Sequence, residues 1–268
     1  MSVTRRHVLS AAAALAIPFV GALPKSRSEL SRLGVLQPGI HPGFPSQDPE
    51  RVQQFVGASH GNVAVVRTML KESPALAKAT IDWGFGDWET AIGAASHVGN
   101  REIAAMLIEH GARPDLFTFA MLGQLQVVKA SIEASPGIQK IRGPHGFTLL
   151  HHARQGGKGS EEVIAYLEEV GDADIGPTKL PLPDQQKKQF LGLFSSESDE
   201  AVRFEISLSP FGSIAIKRET YGVLRSLNYL GNNEFAPIGA DAVRIRFNAG
   251  VTECTIVDGP MSVVLSRV

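Results

Sequence analysis

The sequence predicts an α+β chain with two folded parts: a stack of about four helix pairs, then a small antiparallel β-meander or open barrel. Three observations predict it. Apolar residues recur at helical spacing in short paired blocks between residues 50 and 176, and a Gly or Asn lies between the helices of each pair. The composition then shifts at Pro177, Pro181 and Pro183, which read as a stiff linker over 177–188. From Gln189 to the end at 268, apolar and polar residues alternate with period two.

The bulk numbers fit folded domains. Of the 268 residues 43% are hydrophobic, enough for a real core, and 20% are charged. The net charge of −1 gives no global attraction to nucleic acid or anionic lipid. The chain has one cysteine, Cys254, so an intrachain disulfide and a cysteine-rich zinc site are both excluded. Cys254 lies in a strand-like run and reads as a small buried apolar residue.

The first element is an address. Arg5-Arg6 precedes the moderately apolar run Ala11–Ala22, which is too short and too weak for a good membrane span. Arg5-Arg6, Leu9 and the small residues Val20-Gly21-Ala22 resemble a bacterial twin-arginine export signal over 1–22. The pattern departs at Val8 and Ser10. The resemblance implies a periplasmic or secreted protein, with no stable membrane insertion after the signal is removed. That route handles folded proteins, often with a cofactor already loaded. Residues 23–49, rich in Pro, Gly and Ser, read as a tether.

The helical blocks repeat. Ser59-His60-Gly61-Asn62, Ser96-His97-Val98-Gly99-Asn100 and Met121-Leu122-Gly123-Gln124 each separate two helix-like stretches. Thr90 and Thr148 stand where a helix start needs a cap. Thr90-Ala91-Ile92-Gly93-Ala94-Ala95, continuing to Leu107-Ile108-Glu109-His110-Gly111-Ala112, resembles the ankyrin repeat, and Gly146-Phe147-Thr148-Leu149-Leu150-His151-His152-Ala153 opens a similar copy. The resemblance covers 50–176, as units over 50–84, 85–114, 115–142 and 143–176. It implies stacked helix pairs with projecting hairpin fingers and a concave protein-binding surface.

In the C-terminal part, Val202, Phe204, Ile206 and Leu208 share one face, and Val243, Ile245 and Phe247 alternate with Arg244, Arg246 and Asn248. About seven strands fit the pattern. Phe190–Phe194 and the stretch Phe235–Gly239 are similar to small β domains appended to bacterial exported hydrolases, which usually carry no catalytic residue.

Motifs for chemistry are sparse. The sequence has no G-x-S-x-G elbow and no H-E-x-x-H zinc motif. The glycine clusters at 84–86 and 156–159 lack phosphate-loop context. His145, His151, His152, Asp172 and Asp174 suggest a metal set, but His151 matches the ankyrin histidine that fixes a hairpin through the backbone, and His60 and His97 take the same structural reading. No metal and no cofactor is therefore expected. The expected function is a non-catalytic adaptor for a protein or peptide partner, with no nucleic acid. Its partner-binding residues are Asp82, Trp83, Phe85, Asp87 and Trp88 on one finger, and Arg142, His145 and Phe147 on the next, because Trp favours binding hot spots. Both tryptophans can equally pack down on the first helix pairs. The alternatives are an enzyme or enzyme accessory with a site between stack and β domain, and a β domain holding a small apolar ligand.

Overall fold

The computed structural model describes residue 43 and residues 45–199, 202–219 and 223–268. The expected export signal and nearly all of the tether lie outside the described residues.

Five of the helices begin at a residue whose side chain accepts from a free backbone N–H. The first pair is α1 (Pro49–Ala58) and α2 (Val63–Glu72), with Pro49 opening α1 and Asn62 accepting from Val65 N. In the second pair, α3 (Ala91–His97) is capped by Thr90 and α4 (Arg101–Glu109) by Asn100. Asp115 caps α5 (Leu116–Met121), which pairs with α6 (Leu125–Ala134). Thr148 caps α7 (Leu149–Gln155), which pairs with α8 (Glu161–Val170).

Close approach at the turns lets the pairs stack. Gly123, at φ +77°, faces the backbone of Gly159 so tightly that a Cβ would overlap its carbonyl oxygen. Arg101 stitches the same edge: its guanidinium donates to Met121 O at 2.7 Å, Ser160 Oγ at 2.9 Å and Gly156 O at 3.0 Å. One apolar core joins the first two pairs around Phe55, Leu70, Ile92, Ile103 and Leu107. Another joins the last two around Phe117, Leu149, Val163 and Leu167. Neither pair of this size could bury its apolar face alone.

Two short strands, β1 (Thr80–Asp82) and β2 (Trp88–Thr90), form an antiparallel hairpin between the first and second pairs. After the proline-rich segment, which bonds to the next domain through Leu180 N to Tyr229 O at 2.7 Å, comes the four-residue helix α9 (Asp184–Lys187).

The β part is a closed antiparallel barrel of eight strands. They are β3 (Gly192–Ser195), β4 (Arg203–Leu208), β5 (Ile214–Arg218), β6 (Arg225–Gly231), β7 (Glu234–Pro237), β8 (Arg244–Phe247), β9 (Glu253–Asp258) and β10 (Met261–Arg267). They run in sequence order, and β10 closes on β3 through Ser266 opposite Ser195 and Arg267 opposite Phe194. Thus the coarse prediction of an α+β chain holds, while the expected meander or open barrel of about seven strands is corrected to eight strands and closure. The pairing of the first and last strands is non-local and leaves no mark in either strand's own pattern.

Phe190, Phe194, Phe235 and Phe247 fill the barrel interior, with ring centroids 5.0 to 5.8 Å apart. Cys254 joins this core, and burial pushes its thiol pKa up to about 12. Stack and barrel belong to one compact unit, Pro49–Val268. No described helix is long and apolar enough to cross a membrane.

Candidate metal centre

The β1–β2 hairpin sets the geometry. Side chains alternate across a strand, so Trp88 and Glu89 point to opposite sides. Trp88 is 63% exposed, whereas Glu89 is 0% exposed. The loop tip turns through Gly84 and Gly86, both at positive φ, with Asp82 Oδ1 accepting from Gly84 N at 2.8 Å.

Glu89 meets three histidines. His60 follows α1, His97 ends α3, and His145 precedes α7. Each comes from a different helix pair. His97 Nδ1 lies 3.1 Å from Glu89 Oε1, His145 Nε2 lies 3.4 Å from the same oxygen, and His60 Nε2 lies 3.6 Å from Oε2. One ligand-type atom from each of the four residues falls within 4.8 Å of every other. Zinc bonds to imidazole and carboxylate of about 2.1 Å in a tetrahedral shell place ligand atoms about 3.4 Å apart. The contacts to Glu89 run from 3.1 to 3.6 Å, two on Oε1 and one on Oε2, within a set that spans up to 4.8 Å.

Three of the four side chains are aimed by a partner behind them. His60 Nδ1 lies 3.1 Å from Gly57 O and 3.2 Å from Val56 O. Carbonyls only accept, so Nδ1 carries the proton and Nε2 faces inward. His145 Nδ1 donates to Asp87 Oδ2 at 2.7 Å, which likewise turns its Nε2 inward. Trp83 Nε1 donates to Glu89 Oε2 at 2.6 Å. Such outer hydrogen bonds fix tautomer and ring orientation in metal sites. His145 also stands at φ 58°, a left-handed conformation uncommon for a residue with a side chain. Its backbone N–H donates to Asp87 Oδ1 at 2.9 Å, which offsets part of that strain.

The charges of the cluster are coupled, with His145 and Arg225 facing Glu89 and Asp87. Glu89 is buried, which alone raises its pKa, but neighbouring His145 and His97 hold it down to about 2. Burial likewise lowers His145, yet the flanking Asp87 and Glu89 carry it up to about 9. His97 moves the other way, depressed first by burial despite Glu89 beside it. The three imidazole ring centroids lie 4.8 to 6.3 Å apart. Glu89 Oε1 and the 5%-exposed His97 Nδ1 face each other at 3.1 Å, as an ion pair whose alignment falls short of a good hydrogen bond.

The eight residues expected to bind a partner separate into three groups. Asp87 and His145 belong to the cluster, and Trp83 and Phe147 support it. Trp83 packs on the first apolar core, while Phe147 stacks on His151 and lies 4.9 Å from the His97 ring. Phe85 packs against the barrel core, and Arg142 pairs with Asp241 of the barrel. Asp82 and Trp88 remain exposed. The five-residue metal set weighed from sequence does not gather. His151 Nε2 lies 3.0 Å from His97 O, the backbone role expected of it, and Asp172 and Asp174 pair with Lys140 and Arg154.

Sequence reasoning missed Glu89, Arg225 and the joint role of His60 and His97. A signal existed. Ser-His precedes two successive inter-helix turns, as Ser59-His60 and Ser96-His97, and the fold brings those two histidines side by side. No protein-family model and no curated protein matches the chain.

Proposed function

We propose that this chain is an exported metal-binding protein of the ankyrin-repeat type, holding one zinc-class divalent cation on His60, Glu89, His97 and His145. The observation that carries the reading is the convergence of four ligand-type atoms from His60, Glu89, His97 and His145 within 4.8 Å of one another, around a Glu89 carboxylate that is fully buried. Three imidazoles and one carboxylate suit zinc, nickel, cobalt or iron better than magnesium or calcium. Four protein ligands fill a tetrahedral shell, so the ion holds three helix pairs together rather than opening a position for a substrate. The twin-arginine resemblance fits this reading, because that route accepts proteins folded around a metal. The phenylalanine-filled barrel gives no support to a small apolar ligand inside it.

The test is metal content and affinity of purified mature chain. One zinc or cobalt per chain is expected, falling to a small fraction in His97→Ala and Glu89→Gln while both variants keep the wild-type helical circular dichroism. A wild-type chain that takes up neither ion at micromolar concentration sinks the reading.

A second reading, partner binding, retains one observation in its favour. Trp88 is a large apolar side chain left exposed on the hairpin, beside exposed Asp82. Rings so placed serve as binding anchors for a protein or peptide.

A further inference from the structure

The barrel reaches the candidate centre at one point. Arg225, the first residue of β6, is buried, and its guanidinium pairs with Asp87 Oδ2. The same Nη2 donates to Ile238 O at 2.6 Å, which fixes the fork. Nη1 lies 3.4 Å from His145 Nδ1, a longer approach than the 2.7 Å bond from that nitrogen to Asp87. Next to Ile238, Gly239 sits at φ +84°, where a Cβ would run into the Asp87 carboxylate. A guanidinium and a position without a side chain therefore receive one carboxylate from the helical part.

That carboxylate orients a ligand. Asp87 is 2% exposed and holds both the ring and the backbone N–H of His145. Carboxylates behind metal-bound histidines fix the ring and raise its basicity, and their loss typically weakens metal binding about 10- to 100-fold. Asp87 can do this only while it is itself held. Without Arg225 it is a buried carboxylate held only by the His145 it is meant to orient.

Resting on the metal reading above, we propose that Arg225 is a positioning residue of the centre. The chain Arg225–Asp87–His145 links metal occupancy to seating of the barrel. Linkage of this kind is reciprocal: whatever seating contributes to metal affinity, bound metal returns to seating. The barrel thus acts as an outer wall that tunes the site without touching the ion.

The experiment measures zinc affinity on the full chain by competition with a chromophoric chelator, and records the visible spectrum with cobalt. Four variants are compared with wild type: Arg225→Gln, Asp87→Asn, the double variant, and Arg142→Gln. The last breaks a second ion pair between helical part and barrel, Arg142–Asp241, and leaves the relay whole. Arg225→Gln and Asp87→Asn are each expected to weaken zinc about 10- to 100-fold and to shift the cobalt bands. The double variant should bind no more weakly than Asp87→Asn alone, and Arg142→Gln should bind as wild type. Arg225→Lys, which keeps the charge, should recover most of the affinity and covers the case in which the glutamine variant does not fold.

Unchanged affinity in Arg225→Gln overturns the proposal. So does equal weakening by Arg142→Gln, which would make the effect general loosening, and so do losses that multiply in the double variant. Failure of the wild-type chain to bind zinc or cobalt is a different result, because it removes the metal reading itself.

Discussion

The helical stack and the barrel bury different things. The barrel interior is apolar and aromatic, a ring of Phe190, Phe194, Phe235 and Phe247 closed on every side. The stack buries Glu89, Ser96, His97 and His152 alongside its aliphatic core. The difference follows from topology. A closed barrel has a single inside, and any polar group pointing into it must find a partner there. The helical part has an edge where successive helix pairs set side chains beside one another, so buried polar groups gather there. Chemistry gathers on the edge, and the barrel adds one arginine to it.

The strongest way to break this contrast is to empty the closed interior. Phe235 is fully buried and touches Phe190, Tyr229 and Phe247. Phe235→Ala should cost about 3–5 kcal/mol of barrel stability, as large-to-small core changes do. Urea unfolding followed by near-ultraviolet and far-ultraviolet circular dichroism checks it. Loss of barrel signal at lower urea than helix signal supports two separate cores. A stability change below about 1 kcal/mol would mean the ring cluster does not hold the barrel.

An intermediate effect probes the polar side of the comparison. His152 is fully buried in the stack; Ser96 Oγ lies 2.7 Å from its Nδ1, and its Nε2 has no partner. Burial, with His97 and His151 nearby, lowers its pKa to about 3. The sign follows from proton counting. Between the ordinary value of 6.5 and about 3, the unfolded chain binds a proton that the folded chain does not. Acid therefore favours unfolding: the penalty is absent above pH 6.5, grows as pH falls below it, and levels off near 3. Unfolding free energy measured from pH 7 to pH 4 should decline in wild type, and the decline should be shallower in His152→Gln. Equal slopes would show that His152 is not held neutral.

The smallest stability effect belongs to the exposed finger. Trp88→Ala should change stability by less than about 0.5 kcal/mol, as surface substitutions do. If the finger also carries a partner, pull-down from a periplasmic extract should fail with the same variant. Retained capture would remove the partner-binding reading.

Much of the helical part was legible because its signals are local. Asn62, Thr90, Asn100 and Thr148 cap within three residues of their own positions, and Gly123 marks its own turn. The hairpin with both tryptophans stood out by composition. The centre did not, because His60, Glu89, His97 and His145 are brought together only by stacking three units. In the barrel, β6 was missed for a different reason. Its sequence Arg225–Gly231 buries Arg225 and Asn228, which lie on opposite faces of the strand, and its register with β7 shifts between Tyr229 and Gly231. A buried charge and a bulge together erase the period-two pattern that revealed β4 and β8.

The hydrogen bond from Trp83 to Glu89 has an optical consequence. The chain has only two tryptophans, and one of them, Trp88, faces solvent. With Trp88 replaced by Phe, the remaining indole is the one whose N–H touches the central carboxylate. Its emission colour and lifetime then report on the charge state of that carboxylate, so the centre carries its own fluorophore and its filling can be followed in real time without a label.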